Sequence, residues 1–529
     1  MKINLFLESH ELDCIIVPSG DEFLSEYCYN SLLYLLTGFS GSNGIGILTK
    51  NTNIFLTDSR YLIQAKNELK SDKWEIKNLQ NNSIFTEIIK YDKIGIIGDY
   101  ISHEMYEKIC KIKPIKLINS SEIFTQFNLQ KNTEKNTVIN FEKYQEKSHI
   151  EKIKNINLFT NNRPLIITDS SSICWLLNIR GFDVKYSLLL NCFAILIKEK
   201  IYLFSNAIFE KENVEFLPFY EFENFIKNIK EINVDKSEIN GDLYKKISEK
   251  CTIFSIKNPI KNIKIIKNNL EINAFKKCHE IDAISVNNLI DFIKEKTELI
   301  TEFNIKEKAL ELRKNNSEFI SESFDTISGF NENSAIVHYS AKKETAKIIE
   351  NDGILLIDSG GHYFSGTTDI TRTIAVGNPE AKFPEIKKHY TIVLKSLIML
   401  SNLHFPIRTN GVQLDGIARY NLWQNGLDFG HGTGHGVGFA LSVHEGPCGI
   451  SKSRSSYETE IQEGMILSIE PGVYFDGKYG IRLENLALVK KSTKFANFFE
   501  FETLTKAKFD RSLVDFSLIS EEELKNIDF

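Results

Sequence analysis

Several things are missing from this sequence, and each absence removes a class of function. The longest apolar stretch near the middle of the chain, Leu188 to Ile197, is broken by Asn191 and falls well short of the roughly 20 residues a membrane-spanning helix needs. The segment Met1 to Val17 carries Glu8, His10, Glu11 and Asp13 inside its apolar pattern and offers no small-residue cleavage site, so it does not read as a secretory leader. A cytoplasmic protein is expected. The eight cysteines, at positions 14, 28, 110, 174, 192, 251, 278 and 448, include no Cys-x-x-Cys pair, which argues against a zinc ribbon, a dithiol redox motif and a disulfide framework. Positive charge is not in excess: the formal net charge is −6. Neither nucleic acid nor an anionic membrane is therefore an expected partner. A GxSxG nucleophile elbow is also lacking, since the nearest look-alike, Gly38-Phe39-Ser40-Gly41-Ser42, has no final glycine.

What is present is 529 residues with 42% hydrophobic and 25% charged content, an ordinary globular composition for three to four domains. One weak repeat organises the first half. Cys14-Ile15-Ile16-Val17 reads as a buried strand, Leu32 to Phe39 follows, and Ile45 to Leu48 with Ile54 to Leu56 forms a hairpin-like pair. Leu165-Ile166-Ile167, Trp175 to Phe182, Phe193 to Ile197 and Ile201 to Phe204 repeat that order. Two similar α/β domains in tandem are expected. Asn119 to Val138, with Ser120, Ser121, Lys131, Asn132 and Lys135, suits a linker followed by a short helix. Lys257, Lys261, Lys264 and Lys267 near Asn258-Pro259 read as a second, solvated linker rather than a patch for an acidic partner. Apolar residues at helical spacing from Ile272 to Ile293, and Ile305, Ala309 and Leu312 after them, open a third domain.

That third domain holds most of the chemistry, including eight of the eleven histidines. Ile354 to Asp358 is an apolar run ending in a carboxylate, and Thr367 to Thr373 carries Asp369. Read as adjacent strands, they could aim both aspartates at one cation, unless each merely caps a strand end. Met465 to Tyr474 and Gly480 to Val489 read as one hairpin about Asp476-Gly477. Its Glu470 and Glu484 lie inside apolar strands, where a carboxylate is costly unless paired or bound to metal. Arg482 could be the mate of one of them. His431 to Gly438 contains four glycines in eight residues, which excludes a stable helix and so a His-Glu-x-x-His site, while the spacing fits neither GxGxxG nor a Walker loop. Four carboxylates and one imidazole form an oxygen-rich set that suits Mn²⁺, Mg²⁺ or Fe²⁺, and it is large enough for two ions sharing an activated water. This is hydrolase chemistry.

The ordered motifs LLIDSGG, GTTDITRT, HGTGHGVG, VHEGP, SIEPGVY and GIRLENL resemble the pita-bread metallopeptidase family, and within it the Xaa-Pro aminopeptidase (aminopeptidase P) branch in its long three-domain form. SEYCYNSLLYLLTGFSGSNG is similar to that branch's first domain, WLLNIRGFD to its second, and Phe324 to Tyr339 to the approach to its catalytic centre. The resemblance implies an α/β (α+β) protein: two creatinase-type α/β domains over 1–122 and 123–260, and a pita-bread catalytic domain over 261–529 with a shortened C-terminal extension. It implies that Asp358, Asp369, His435, Glu470 and Glu484 hold two divalent metal ions, usually Mn²⁺. His338, His431 and His444 would contact substrate or shuttle protons, and Arg482 would stand behind the ligands. The implied reaction releases the first residue of peptides with proline second, through attack by a metal-bridging water, with Glu470 taking the proton and His338 or His444 steadying the oxyanion. A prolidase-type dipeptidase shares the metal set. Methionine aminopeptidase lacks two such N-terminal domains. A non-enzymatic pita-bread binding module would have lost ligands that are all here. Relatives often dimerise through a region beyond the segment seen here as Leu518 to Phe529, so a homodimer remains an open expectation.

Overall fold

In a computed structural model, which describes residues 2–29, 31–69, 72–129, 137–295, 298–452, 459–525 and 527–529, the apolar runs of the first half pair into two six-stranded sheets of one design. The first runs Trp74–Asn78, Asn53–Thr57, Ile45–Thr49, Cys14–Pro18, Ile94–Ile97 and Ile115–Ile118 across its width. The second runs Val214–Leu217, Lys200–Phe204, Phe193–Ile197, Leu165–Ile167, Glu231–Val234 and Thr252–Ser255. In both, the sense of successive pairs is parallel, antiparallel, antiparallel, parallel, parallel. The repeat seen in the sequence is thus a repeat of topology. Alternation along Cys14–Pro18 supplies both faces of the first sheet: Ile15 and Val17 pack with Phe6, Phe39 and Phe55, while Cys14 and Ile16 pack with Ile54, Ile88 and Ile96.

These sheets lie in one compact unit, Met1–Lys143 with Lys147–Ile260, and the remainder, Tyr144–Glu146 with Lys261–Phe529, forms another. The stretch expected as a linker and then a helix is ordered differently. A helix, Ser120–Phe127, comes at its start because the Asn119 side chain accepts from the Ser121 N–H and Glu122 closes a capping box, with Ile123, Phe124 and Phe127 buried. Lys131, Asn132 and Lys135 lie outside the described residues. The solvated-linker reading also fails for Lys264 and Lys267, which are 5% and 4% exposed and whose ammonium groups both contact the Glu445 carboxylate. A carboxylate distant in sequence makes their burial tolerable.

The second unit is built from two helix-on-sheet layers. Helices Asn269–Lys294 and Glu302–Lys314 pack Val286, Leu289, Ile293, Ile305 and Ala309 against the three-stranded sheet of Ile327–Phe330, Gly353–Ser359 and Ile370–Val376. Helices Ile386–Ser401 and Gly411–Trp423 cover a six-stranded sheet of His404–Pro406, Phe498–Thr503, Asn485–Lys491, Ile466–Ile469, Gly434–Gly436 and Glu445–Ile450. The expected single hairpin from Met465 to Val489 is two pairings instead. Ile466–Ile469 joins Asn485–Lys491 in the large sheet, and Gly472–Phe475 joins Tyr479–Arg482 in a separate ribbon. Both strands break at the glutamates: Glu470-Pro471 and Leu483-Glu484 lie between strands rather than inside them, Pro471 having no N–H to give a ladder. Among the described residues no helix is long and apolar enough to cross a membrane.

Candidate metal centre

The two layers bring their carboxylates to one place. Asp358 is the next-to-last residue of Gly353–Ser359 and pairs in register with Thr371, so Asp369, just before Ile370–Val376, lies beside it on the neighbouring chain. The Glu484 N–H donates to the Thr371 carbonyl at 3.1 Å, and the Glu470 N–H to Thr433 at 2.8 Å, which ties each glutamate's main chain to a different ligand-bearing segment. His435 sits in the short strand Gly434–Gly436. Its flanking glycines are needed for close approach: a Cβ on Gly434 would lie 1.8 Å from the Ser468 carbonyl oxygen, and one on Gly436 would lie 2.2 Å from that of Glu445. The alternating glycines that exclude a helix therefore let three strands close around one histidine.

Donor atoms of Asp369, His435 and Glu484 lie within 4.8 Å of one another. His435 Nδ1 donates to the Gly436 carbonyl at 2.9 Å, leaving Nε2 to face Asp369 Oδ2 at 3.3 Å and Glu470 Oε1 at 3.7 Å. Burial, with repulsion among the carboxylates added and against the pull of Arg482 and His435, pushes Asp358 up to about 7, Glu470 upward and Glu484 well above the carboxylate range. For His435 burial works downward, but the Asp369 hydrogen bond and the Glu470 and Asp369 charges outweigh it, raising the ring to about 9. The residues fit divalent cations on two grounds: the set is four carboxylates and one imidazole with its Nε2 turned inward, and Asp358 Oδ1 is buried with no hydrogen-bond partner among the described residues.

Arg482 is not the mate of either glutamate. Its Nη2 donates to Asp358 Oδ2 at 2.6 Å, its Nη1 to the Tyr474 hydroxyl at 2.8 Å and its Nε to Thr371 Oγ1 at 3.1 Å. Tyr474 in turn donates to His431 Nε2 at 2.8 Å, because His431 Nδ1 is committed to the Gly432 carbonyl at 2.7 Å. One guanidinium thus orients an aspartate and, through a phenol, a histidine. His444 lies edge-on to His435, ring centroids 4.4 Å apart. His338 follows Val337, whose carbonyl accepts from Arg482 Nη2 at 3.4 Å. Unlike buried Asp358, Asp369 and Glu484, the residues Glu470, His338 and His444 are only half-buried, whereas the His431 side chain is 5% exposed.

Sequence reasoning missed the supports behind these groups. Glu302, fully buried, accepts from the Phe330 and Lys347 N–H groups, Asn333 Nδ2 and the Tyr339 hydroxyl, gathering the segment that carries His338. Arg419 donates to the Phe429 and His431 carbonyls at 2.7 and 2.8 Å and to Asp415 at 2.7 Å, holding the glycine-rich loop onto its helix. Arg313 joins Asp282 at 2.8 Å and Ser359 Oγ at 3.0 Å, directly behind Asp358. Only the Asp415–Arg419 pair, four residues apart on a helix, left a local signal in the sequence.

Three family models match successive parts of the chain. Residues 273–491 fit the metallopeptidase family M24, and residues 2–127 and 130–271 each fit a creatinase/prolidase N-terminal domain. A probable Xaa-Pro aminopeptidase P of Laccaria bicolor is 31% identical over 100% of this chain and 88% of its own length. Xaa-Pro aminopeptidase 1 of Dictyostelium discoideum is 32% identical over 99% and 90%. The crystal structure of the X-prolyl aminopeptidase of Caenorhabditis elegans, described as a cytosolic enzyme with a di-nuclear active site, superposes with a TM-score of 0.88 at 28% identity, covering 97% of this chain and 89% of that one. The prolidase of Pyrococcus horikoshii gives 0.53 at 27% identity and covers 68% of this chain and 99% of its own.

Proposed function

The chain belongs to metallopeptidase family M24, and from that premise we propose that it is a metal-dependent aminopeptidase releasing the first residue of peptides with proline second. The observation that supports the reading is the cluster of Asp369, His435 and Glu484, with donor atoms within 4.8 Å of one another, Glu470 3.7 Å from His435 and Asp358 on the adjoining strand, in a chain similar over its length to Xaa-Pro aminopeptidases. The prolidase, by contrast, covers about two thirds of the chain. Asp358, Asp369, His435, Glu470 and Glu484 would hold two divalent ions, and the oxygen-rich set favours Mn²⁺. Bound there, the ions would lower the pKa of a shared water and polarise the scissile carbonyl.

The protein's own residues supply the rest. A Xaa-Pro bond is a tertiary amide with no N–H to anchor, and the ring restricts the residue before it, so recognition falls on the carbonyl and the ring shape. Glu470, the half-buried member of the carboxylate set, takes the proton of the attacking water on a carboxylate oxygen. His444 or His338 donates a hydrogen bond to the developing oxyanion. His431, held through Tyr474 by Arg482, lines the approach. A cytoplasmic location is supported by the description of the worm enzyme as cytosolic.

The test is a matched series of Ala-Pro, Ala-Pro-Ala and Ala-Ala-Ala assayed with Mn²⁺. Cleavage of Ala-Pro-Ala far above Ala-Ala-Ala, by more than the 1 to 3 kcal/mol that about one methylene contributes in an apolar pocket, is the expected result. Cleavage of the dipeptide alone would make the protein a prolidase, and equal cleavage of both tripeptides would end the Xaa-Pro reading.

A further inference from the structure

Glu445, next to His444, is 4% exposed and meets two ammonium groups that are themselves buried: Lys264 Nζ at 2.8 Å from Oε1, and Lys267 Nζ against Oε2. Two cations on one carboxylate are more than a structural ion pair requires, and burying them carries a desolvation cost that a surface pair avoids. The segment bearing the lysines is itself fixed. Ile265, between them, is in the main apolar core, and the Lys267 N–H donates to the Gly464 carbonyl at 2.9 Å, just ahead of the strand Ile466–Ile469. On the other side, Glu445 pairs in register with Gly436, the residue after His435, at a point where the ladder shifts register. The two lysines therefore grip the one residue that joins His444 to the strand carrying the ligand histidine. Although burial by itself would raise the Glu445 carboxyl, the two lysines hold it below the usual range, so the grip is ionic.

We infer that Lys264 and Lys267 are positioning residues for His444: through Glu445 they set its imidazole edge-on to His435 and toward the substrate carbonyl. The inference rests on the reading of His444 given above, and its test is arranged to separate the two. In the full-length Mn²⁺-loaded protein, Lys264→Met and Lys267→Met should each lower kcat for Ala-Pro-Ala by roughly 10- to 100-fold, the scale known for groups that orient a site's first contacts. KM and the metal content per chain should change little. Lys264→Arg should restore most of the rate. In a His444→Ala background the same substitutions should add almost nothing, because the group they position is gone. Losses that multiply with His444→Ala, or that come with loss of metal, would overturn the inference.

If the single variants do not fold, the triple variant Lys264→Met/Lys267→Met/Glu445→Leu replaces the whole buried triad by apolar side chains, a change that proteins often accept. It should fold with the kcat of His444→Ala, and wild-type kcat would overturn the idea. With diamagnetic Mg²⁺ in place of Mn²⁺, whose paramagnetism would broaden it away, the His444 imidazole NMR signal gives a readout independent of cleavage. It should shift in Lys264→Met and return in Lys264→Arg even if the wild type proves inactive on Xaa-Pro peptides. An unmoved signal would sink the inference and leave the proposed activity standing.

Discussion

The catalytic unit buries two populations of carboxylate, and they differ in what faces them. Asp282 meets Arg313 and the Tyr363 hydroxyl, Asp415 meets Arg419 and Thr433, and Glu445 meets two lysines. For Asp282 and Glu445 burial works upward, but the cationic partners win and the carboxyls are lowered. Asp358, Glu470 and Glu484 go the other way, because burial and mutual repulsion outweigh Arg482 and His435. The first population is electrostatically complete within the protein. The second is left with surplus negative charge, a costly arrangement whose natural complement is a pair of cations. Removing a charge should therefore harm the first population always, and Glu470 or Glu484 only when metal is present, while Asp358, which Arg482 holds at 2.6 Å, stands between the two.

The largest expected effect is on the second. A chelator should abolish hydrolysis, Mn²⁺ should restore it better than Zn²⁺, and Asp369→Ala should lose roughly 10⁴-fold or more in kcat/KM beyond rescue by metal, as residues acting as one unit fail together. Full activity in excess chelator would refute the metal reading. Glu470→Gln should cost about 10²- to 10⁴-fold in kcat, the range for a general base. Normal turnover in that variant would remove Glu470 from the role.

Next in size is a contrast in stability. Arg313→Met strands Asp282 and should destabilise by about 3 to 5 kcal/mol to the same extent with or without Mn²⁺. Glu484→Gln should raise the Tm of the metal-free protein by relieving repulsion, while abolishing the increase that Mn²⁺ gives the wild type. If both variants behaved alike in metal-free thermal melts, the division into two populations would be wrong.

The same division predicts a pH dependence. Asp358 has a native-state pKa of about 7 against 3.8 for the free side chain. Its contribution to metal-free stability is thus fully present below about pH 4 and is lost as pH rises through 7. Asp358→Asn does not titrate. Relative to this variant, metal-free wild type should lose Tm between pH 5 and pH 8, and a difference that stays constant over that range would contradict the raised pKa.

How much of this could be read beforehand depends on sequence distance. Three strands of each tandem sheet were legible because their continuous apolar runs and spacing are local and recur in the same order, whereas the other three strands of each sheet were not read. Glu470 and Glu484 stood out because a carboxylate among apolar residues is anomalous in itself. Their place at strand breaks was not legible, since Met465 to Val489 has the alternation of one hairpin and nothing local shows that its halves join different sheets. Arg482 was legible as a partner but not as the partner of Asp358, 124 residues away. Lys264 and Lys267 were misread because lysines near a Pro at a domain junction look solvated, and the carboxylate that buries them is 181 and 178 residues further on. Local chemistry showed which groups needed a partner, and only the fold could show which partner each would find.

The smallest effect isolates burial from geometry. Lys387 Nζ lies 2.6 Å from Glu380 Oε2, closer than Lys264 lies to Glu445, yet its partners are 37% and 43% exposed against 3% and 2% for the buried pair. Water screens the exposed pair and solvates either member left alone, so Lys387→Met should cost no more than about 0.5 kcal/mol and leave kcat unchanged. Lys264→Met leaves a carboxylate with half its compensation in a site water cannot reach, and should cost several times as much. Denaturant melts of the two variants, with equal m-values, make the comparison directly. Equal losses would mean that contact distance alone, rather than desolvation, sets the strength of the charges around this site, and the separation of its carboxylates into completed and uncompleted groups would lose its physical basis.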